Sequence, residues 1–329
     1  MKPTRVLPDD PALPGLVAIR ENGLGGVLPG LGLDDGPVQL ELCGYTPGER
    51  ATLDARAGNR RFAVKVYAED PVTEAELYEA LAGELVNGAE ARVPPLLARE
   101  RDLRLLVIGW LEGPTADQLV RGGSGARAGE LAARWLRSAA SLAVHLGPPC
   151  GAALTLERVN FWSAVLAGAD AGLGAAAAAL ARTLASTRPD ENGARLVHGT
   201  LYDRHILDTG DDAGVIDWQR FGQGPSELDA GTFLATISRT ALRHEHLAGE
   251  AARAEQALLA GTGGLLDERA VSWYRAVTLL RLASKPVNAA TAEGQRIRRK
   301  PDWRALALAR SRVLLDEAAR HAEAAGRRH

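Results

Sequence analysis

The sequence has few cysteines and no long apolar run. Its two cysteines, Cys43 and Cys150, are far apart and in no metal-ligand spacing. A disulfide framework is therefore not expected, and a reducing compartment fits the chain best. The N-terminus has no signal-like apolar run, and no stretch reaches the roughly 18 uninterrupted apolar residues of a membrane helix. We therefore expect a cytoplasmic protein without a membrane partner.

An excess of charge of one sign is also missing. The 39 Lys and Arg residues and 41 Asp and Glu residues leave a net charge of −2. A chain without a basic excess is not expected to have nucleic acid as its main partner. Hydrophobic residues make up 46% and charged residues 24%, which is typical of a soluble globular protein. The length of 329 residues allows two substantial cores.

Glycine and proline are concentrated in residues 1–36, which suggests a glycine loop for phosphate. None of the glycine spacings there gives G-x-G-x-x-G, and no strand-to-helix context surrounds them. We therefore predict a surface loop or N-terminal extension over 1–36.

Strand patterns and helix patterns occupy different parts of the chain. Period-two alternation and turn residues predict strands at 38–43, 50–56, 61–67 and 103–110, with one helix at 73–87. Later segments are mainly helical, with short strands or loops between helices at 195–222. The predicted helices are 127–145, 159–187, 227–257, 266–284 and 302–325. Strands followed by helices indicate an α+β protein, with one lobe at 37–113 and a second at 114–329.

Lys65 lies in the strand-like run Arg-Phe-Ala-Val-Lys-Val-Tyr, residues 61–67. Such a lysine either lies at a sheet edge, with its ammonium reaching water, or has a functional role with an acidic partner. The next predicted helix offers Glu74, Glu76 and Glu79, and Glu74 lies on or beside the apolar face of that helix. A Lys–Glu pair would orient the ammonium toward the α- and β-phosphates of ATP. A solvated first-turn carboxylate is the other interpretation of Glu74.

Two further segments carry candidate catalytic groups. His198 opens the run His-Gly-Thr-Leu-Tyr-Asp-Arg-His-Ile-Leu, and Asp217 ends the apolar run Gly-Val-Ile. A carboxylate at the end of a buried strand suits hard divalent cations, although a turn or N-cap aspartate is also common there. The His-Glu-His motif at 244–246 is interpreted as a solvated helix segment, because residues two apart do not share a helix face.

The ordered set of motifs resembles the aminoglycoside phosphotransferase family of kinase-like small-molecule kinases. That family's catalytic loop, His-Gly-Asp followed by four residues and Asn or Gln, corresponds to 198–205 here. Its Ile-Asp-Trp metal motif corresponds to 216–218. Its Gly-Asp-Pro-x-x-Asp-Leu motif is echoed at 224–234, where Asp229 corresponds to an aspartate that braces the loop. The resemblance extends over roughly residues 40–235.

The resemblance implies a bilobal protein-kinase-like fold, with a small antiparallel sheet lobe containing one helix and a larger, mainly helical lobe. It implies that ATP and Mg²⁺ or Mn²⁺ are the cofactors, and that the partners are a nucleotide and a small-molecule acceptor. The resemblance also implies a role for each candidate site residue. Lys65, Glu74, Tyr45 and Gly48 would serve the phosphates, Gly109, Trp110 and Leu111 the adenine, Asp217 and His205 the metal, and Thr200, Asp203 and His198 the catalytic loop.

Two residues depart from the family pattern. Thr200 occupies the position of the catalytic aspartate, and its neutral hydroxyl cannot take up a proton near pH 7. Asp203, expected on the exterior of the loop, is a candidate substitute base. His205 occupies the position of the metal-binding amide, so either a metal site is lost or the preference moves toward Mn²⁺ or Zn²⁺. His198 is expected to hold the loop.

Two functions remain open at the level of sequence. The first is an ATP-dependent phosphotransferase acting on a small-molecule hydroxyl, where acidic residues of the helical lobe could meet a cationic acceptor. The second is a catalytically inactive relative that binds nucleotide or a protein partner. Thr200 favours the second function, and the presence of both Lys65 and Asp217 favours the first.

Overall fold

The computed structural model describes residues 7–33, 37–85, 90–191, 193–293 and 302–327. The chain forms two compact units, Met1–Glu112 and Gly113–His329, here called unit 1 and unit 2.

A five-stranded antiparallel sheet is the centre of unit 1, in the order β1-β2-β3-β6-β5. The predicted strands are confirmed, but β5, which lacks clean alternation, was not predicted. The strands are β1 Gln39–Thr46, β2 Arg50–Ala57, β3 Arg60–Tyr67, a two-residue β4 Ala91–Arg92, β5 Leu96–Glu100 and β6 Leu105–Gly109. Strand β3 is therefore the middle strand of the sheet.

The prediction of a surface loop near the N-terminus is wrong for most of the described part. Helix α1, Pro14–Val27, begins with a proline at its first turn, where the missing N–H costs no hydrogen bond. Its Leu16 and Ile19 are buried in one core with Phe62 and Val66 of β3. The glycines hid this helix, because they weaken helix propensity while the apolar residues between them still pack on the sheet.

Helix α2, Val72–Glu84, confirms the helix predicted at 73–87. Side chains alternate across a strand, so Val64 and Val66 belong to the core that contains α1 while Lys65 points to the opposite face. There the ammonium of Lys65 contacts Glu74 in the first turn of α2.

Unit 2 is mainly helical, as predicted, but two of the predicted helices are each divided in two. Asp170 caps a new helix by accepting a hydrogen bond from the Leu173 amide at 2.8 Å, and a second break falls at His244. The last-but-one helix continues through Pro286 to Glu293, beyond its predicted end at residue 284. The helices are α3 Ala116–Arg121, α4 Gly125–Ser141, α5 Ala152–Ala169, α6 Ala171–Ser186, α7 Ser226–Arg243, α8 Ala248–Thr262, α9 Glu268–Glu293 and α10 Asp302–Gly326.

Four short strands of unit 2 hold the candidate loops. Strand β7, Arg195–Val197, pairs with β10, Gly222–Gly224, and β8, Ile206–Asp208, pairs with β9, Ala213–Val215. The run 198–205 thus joins β7 to β8, and Asp217 lies between β9 and β10. In the part of the chain that the structure describes, no helix is long and apolar enough to span a membrane.

Candidate active site

Lys65 is buried in the middle of the unit 1 sheet. It lies opposite Thr52 of β2 and Leu106 of β6, and only 3% of its surface is exposed. The interpretation as an edge lysine is therefore excluded. A buried ammonium requires a compensating partner, because burial of an unpaired charge is very costly.

Glu74 provides that partner. Its Oε1 lies 2.6 Å from Lys65 Nζ, and its Oε2 accepts a hydrogen bond from the Tyr67 hydroxyl at 2.7 Å. Both oxygens of the carboxylate are thus engaged, and the ammonium is held in one orientation. Burial raises the pKa of Tyr67 well above its usual value, so this hydroxyl remains a donor. Of the three glutamates that the sequence offered, the structure places Glu74 against Lys65.

The turn at 45–48 is held by a carboxylate that sequence reasoning missed. Gly48 has a φ of +70°, which favours glycine, and its amide donates to Asp10 Oδ2 at 2.8 Å. The Tyr45 hydroxyl donates to the same oxygen at 2.9 Å. These hydrogen bonds lower the pKa of Asp10, with the Gly48 amide contributing most. No signal in the sequence connects Asp10 to residues 35 and 38 positions away.

The segment 109–111 begins at Gly109, the last residue of strand β6, whereas the predicted strand ran on to residue 110. The Gly109 amide donates to the Pro95 carbonyl at 2.8 Å, so this N–H is already used within the unit. The Trp110 ring carries the guanidinium of Arg61 3.7 Å from its centroid. Leu111 lies next in the chain, just beyond the last strand of the sheet.

In unit 2 a buried carboxylate braces the start of the loop 198–205. Asp229 in the first turn of α7 accepts hydrogen bonds from the amides of His198, at 2.6 Å, and Gly199, at 2.9 Å. Burial raises the pKa of Asp229 to about 7, although both amides favour the charged form. Gly199 has a φ of +73°, and a Cβ there would lie 2.1 Å from the Arg220 carbonyl oxygen, so only glycine fits.

His198 is completely buried, as a residue that holds the loop should be. Its Nε2 lies 2.8 Å from the Ile216 carbonyl oxygen and therefore donates to it. The ring lies 4.7 Å from that of Trp218, centroid to centroid. His198 thus links the loop 198–205 to the segment that carries Asp217.

Thr200 and His205 are joined across the loop. The Thr200 carbonyl oxygen accepts hydrogen bonds from the Tyr202 amide at 2.7 Å and from His205 Nδ1 at 2.8 Å. A carbonyl cannot donate, so Nδ1 must carry a hydrogen. The loop backbone therefore selects the ring orientation in which His205 Nε2 faces away from Thr200.

His205 Nε2 faces Asp217, whose Oδ2 lies 3.3 Å away. Burial lowers the pKa of His205 well below its usual value, which disfavours the imidazolium. The neutral ring then presents a nitrogen lone pair to a carboxylate, an arrangement that a cation between the two would stabilise. Asp217 has a φ of +71°, a strained value for a residue other than glycine. Strain of this kind is concentrated at functional sites.

Asp203 is not on the exterior of the loop, contrary to the sequence-based expectation. Only 2% of its surface is exposed, and its amide donates to Thr236 Oγ1 at 3.0 Å. Burial raises the pKa of Asp203, which favours the neutral carboxylic acid. A side chain this deeply buried is poorly placed to act as a general base.

Sequence reasoning also missed the cations around Tyr202. The charged groups of Arg204, Lys285 and Arg281 lie 4.6, 5.0 and 5.9 Å from the centroid of its buried ring. Lys285 Nζ also donates to the Tyr202 hydroxyl at 3.3 Å. Burial lowers the pKa of Lys285, with repulsion from Arg281 acting in the same direction. These charges come from α9 and from the loop, so only the tertiary structure brings them together.

Within the described ranges, no three His, Cys, Asp or Glu side chains lie together as a metal site. This includes the motif at 244–246, where His244 and His246 have ring centroids 6.0 Å apart. His205 and Asp217 lie close enough together to offer two ligands to one metal ion. The oxygen of Asp217 fits Mg²⁺, whereas the imidazole of His205 fits Mn²⁺ or another transition metal better.

The comparison with known proteins supplies the family. Residues 50–274, more than half of the chain, match the model of the phosphotransferase enzyme family. The chain belongs to this family, which confirms the resemblance drawn from its motifs. No curated protein sequence matches the chain.

Solved structures share the fold at low sequence identity. A choline/ethanolamine kinase family protein from Mesorhizobium loti superposes with a TM-score of 0.58 at 17% identity, covering 94% of this chain and 98% of its own. Spectinomycin phosphotransferase APH(9)-Ia, in complex with ADP and spectinomycin, has a TM-score of 0.59 at 14% identity, with 88% and 95% covered. A thermostable mutant of aminoglycoside phosphotransferase APH(4)-Ia, in complex with AMP-PNP and hygromycin B, has a TM-score of 0.57 at 16% identity, with 88% and 98% covered. The predicted α+β, kinase-like fold is thereby confirmed.

Proposed function

We propose that this protein is an ATP-dependent phosphotransferase that transfers the γ-phosphoryl group to a hydroxyl of a small molecule. The observation that carries the proposal is the buried pair of Lys65 and Glu74, with 2.6 Å between Nζ and Oε1. A buried ammonium fixed in the centre of a sheet is costly as a purely structural feature. Phosphoryl transfer, in contrast, depends mainly on positioned positive charge.

Each unit has its own part in the proposal. In unit 1, Lys65 would neutralise the α- and β-phosphates, and the turn with Tyr45 and Gly48 would lie over them. The segment 109–111 would serve the adenine. In unit 2, Asp217 and His205 would hold a divalent cation, whose contribution when bound is to neutralise and align the phosphates. The relatives solved with ADP or AMP-PNP support a nucleotide as the donor.

Thr200 limits the rate that this site can reach. A threonine hydroxyl is a hydrogen-bonding group without basicity, and general-base assistance is typically worth about 10²–10⁴-fold in rate. Positioning and electrostatic stabilisation do not require the base. We therefore expect slow transfer to the acceptor, with Thr200 hydrogen-bonding its hydroxyl.

Calorimetry with ATP tests the proposal, first without metal and then with Mg²⁺ or Mn²⁺. We expect metal-dependent binding that Asp217→Ala abolishes and Lys65→Met weakens. Asp211→Ala is the matched control, because Asp211 is an exposed carboxylate in the turn between β8 and β9. The absence of ATP binding with either metal would overturn the proposal.

A catalytically inactive protein that binds nucleotide or a protein partner is the second candidate, favoured by Thr200. The variant Thr200→Asp restores the carboxylate at this position and separates the two functions. If the site is otherwise assembled, Thr200→Asp should raise ATP turnover with a panel of alcohols by about tenfold or more. ATP binding without any gain in turnover would favour the inactive protein.

A further inference from the structure

A cavity of about 460 Å³, open to solvent, lies in unit 2, between the C-terminal end of α7 and helix α10. This volume is within the range of small-molecule sites. Its apolar wall is formed by Leu242, Val313 and Leu314. None of the residues assigned to the phosphotransferase site lines it, whereas His244 of the motif at 244–246 does.

Three arginines line the same cavity: Arg239 and Arg243 on α7, and Arg310 on α10. In the described ranges, none of the three makes a hydrogen bond or a salt bridge with another side chain. Burial lowers the pKa of Arg243, and repulsion from Arg239 and Arg310 acts in the same direction. Three like charges around one cavity repel one another, so a bound anion would stabilise them.

The acidic groups nearby do not offset these charges. Asp117 on α3 forms a salt bridge with Arg121, with 2.9 Å between its Oδ2 and the guanidinium Nε. Asp203 acts on Arg239 and Arg243 through space, but it is one carboxylate near three guanidinium groups. The cavity therefore keeps a net positive charge.

We propose that this cavity binds a small amphiphilic anion, a molecule with a phosphate or carboxylate head and an apolar body. The planar guanidinium groups of Arg239 and Arg310 would bind the head, since arginine matches both groups with paired hydrogen bonds. Leu242 and Leu314 would contact the apolar body. This binding site is independent of the proposed phosphotransferase function, because it uses none of the residues assigned to that function.

Titration calorimetry on the full chain, without nucleotide or added metal, tests the proposal. The probes are n-octyl phosphate, octanoate, inorganic phosphate and octyltrimethylammonium. We expect n-octyl phosphate to bind with one-to-one stoichiometry and at least about tenfold more tightly than inorganic phosphate, because the apolar body adds buried area. Binding of octanoate would show that a carboxylate head is sufficient for binding. We expect no binding of octyltrimethylammonium, because its head is positively charged.

Arginine variants assign this binding to the cavity. Arg239→Gln and Arg310→Gln should each weaken n-octyl phosphate binding by about tenfold, the loss typical of a hydrogen bond to a charged group. The control is Arg312→Gln on the same helix, whose guanidinium lies beside Gly172 of α6 instead. No saturable binding of the two anions, equal binding of the ammonium compound, or affinity unchanged in both cavity variants would overturn the proposal. ATP binding by these variants is measured in parallel, so a failure here is distinguished from a failure of the phosphotransferase proposal.

Discussion

Removing one partner of the Lys65–Glu74 pair should destabilise unit 1 far more than removing both. In Glu74→Leu the ammonium of Lys65 stays in a position where the side chain is 4% exposed, and it loses its contact with the Glu74 carboxylate. Breaking a buried pair from one side costs about 3–5 kcal/mol. The Tyr67 hydroxyl loses its acceptor as well, which adds about 1 kcal/mol.

The double variant Lys65→Met, Glu74→Leu removes both charges and keeps comparable side-chain volumes. We expect its free energy of unfolding to return to within about 1 kcal/mol of the original protein, because apolar replacements of buried pairs are often neutral or stabilising. Glu76→Leu, two residues along α2 and exposed, is the matched control. The coupling energy of the double-mutant cycle isolates the pair.

Amide hydrogen exchange of residues 60–67 is the appropriate assay, since it reports on unit 1 separately from unit 2. Protection in β3 should fall sharply in Glu74→Leu and recover in the double variant. A loss below about 1 kcal/mol in Glu74→Leu, with Lys65 unchanged, would refute the idea that this carboxylate compensates a buried charge.

Three further outcomes are expected from the loop 198–205 and its brace. His205→Asn should shift the metal that best supports ATP binding from Mn²⁺ toward Mg²⁺, measured by calorimetry and by the electron paramagnetic resonance of bound Mn²⁺; an unchanged preference would contradict the role of the imidazole. Asp229→Asn should cost about 1–3 kcal/mol in urea unfolding, because an amide cannot accept from both the His198 and Gly199 N–H groups. Asp229 has a pKa of about 7 in the folded protein, against its usual value of 3.8, so the folded state binds its proton more tightly than the unfolded state does. The resulting contribution to stability is fully present below about pH 4 and is lost as the pH rises through 7. Asp229→Asn should therefore make the free energy of unfolding depend less on pH. An unchanged pH profile would mean that other groups cause this dependence.

Most of the fold could be predicted from local patterns. Alternation in β1, β2 and β3 and the apolar spacing in α2 are properties of neighbouring residues, and the structure confirms them. Helix α1 was missed because its glycines obscure a helix that packing on the sheet stabilises. The break at Asp170 was missed because one capping hydrogen bond ends an alanine-rich pattern that otherwise continues.

The candidate site likewise contains residues that the sequence predicts and residues that only the structure reveals. Lys65, His198 and Asp217 were found because each belongs to a short motif whose order along the chain is informative. The choice of Glu74 as partner, the burial of Asp203 and the contact of Asp10 with the turn at 48 depend on distances that the chain order does not contain.

The sequence by itself determined the family and placed Thr200 at the position where the family motif has an aspartate, because these are matters of identity and spacing. Only the tertiary structure decided how charge is distributed around those residues. The fold places His205 Nε2 against the carboxylate of Asp217. It also places three arginines from two helices around one cavity, namely Arg239, Arg243 and Arg310. The physical reason is that electrostatic interactions depend on separation and burial in space, which residues distant in sequence acquire only when the chain folds.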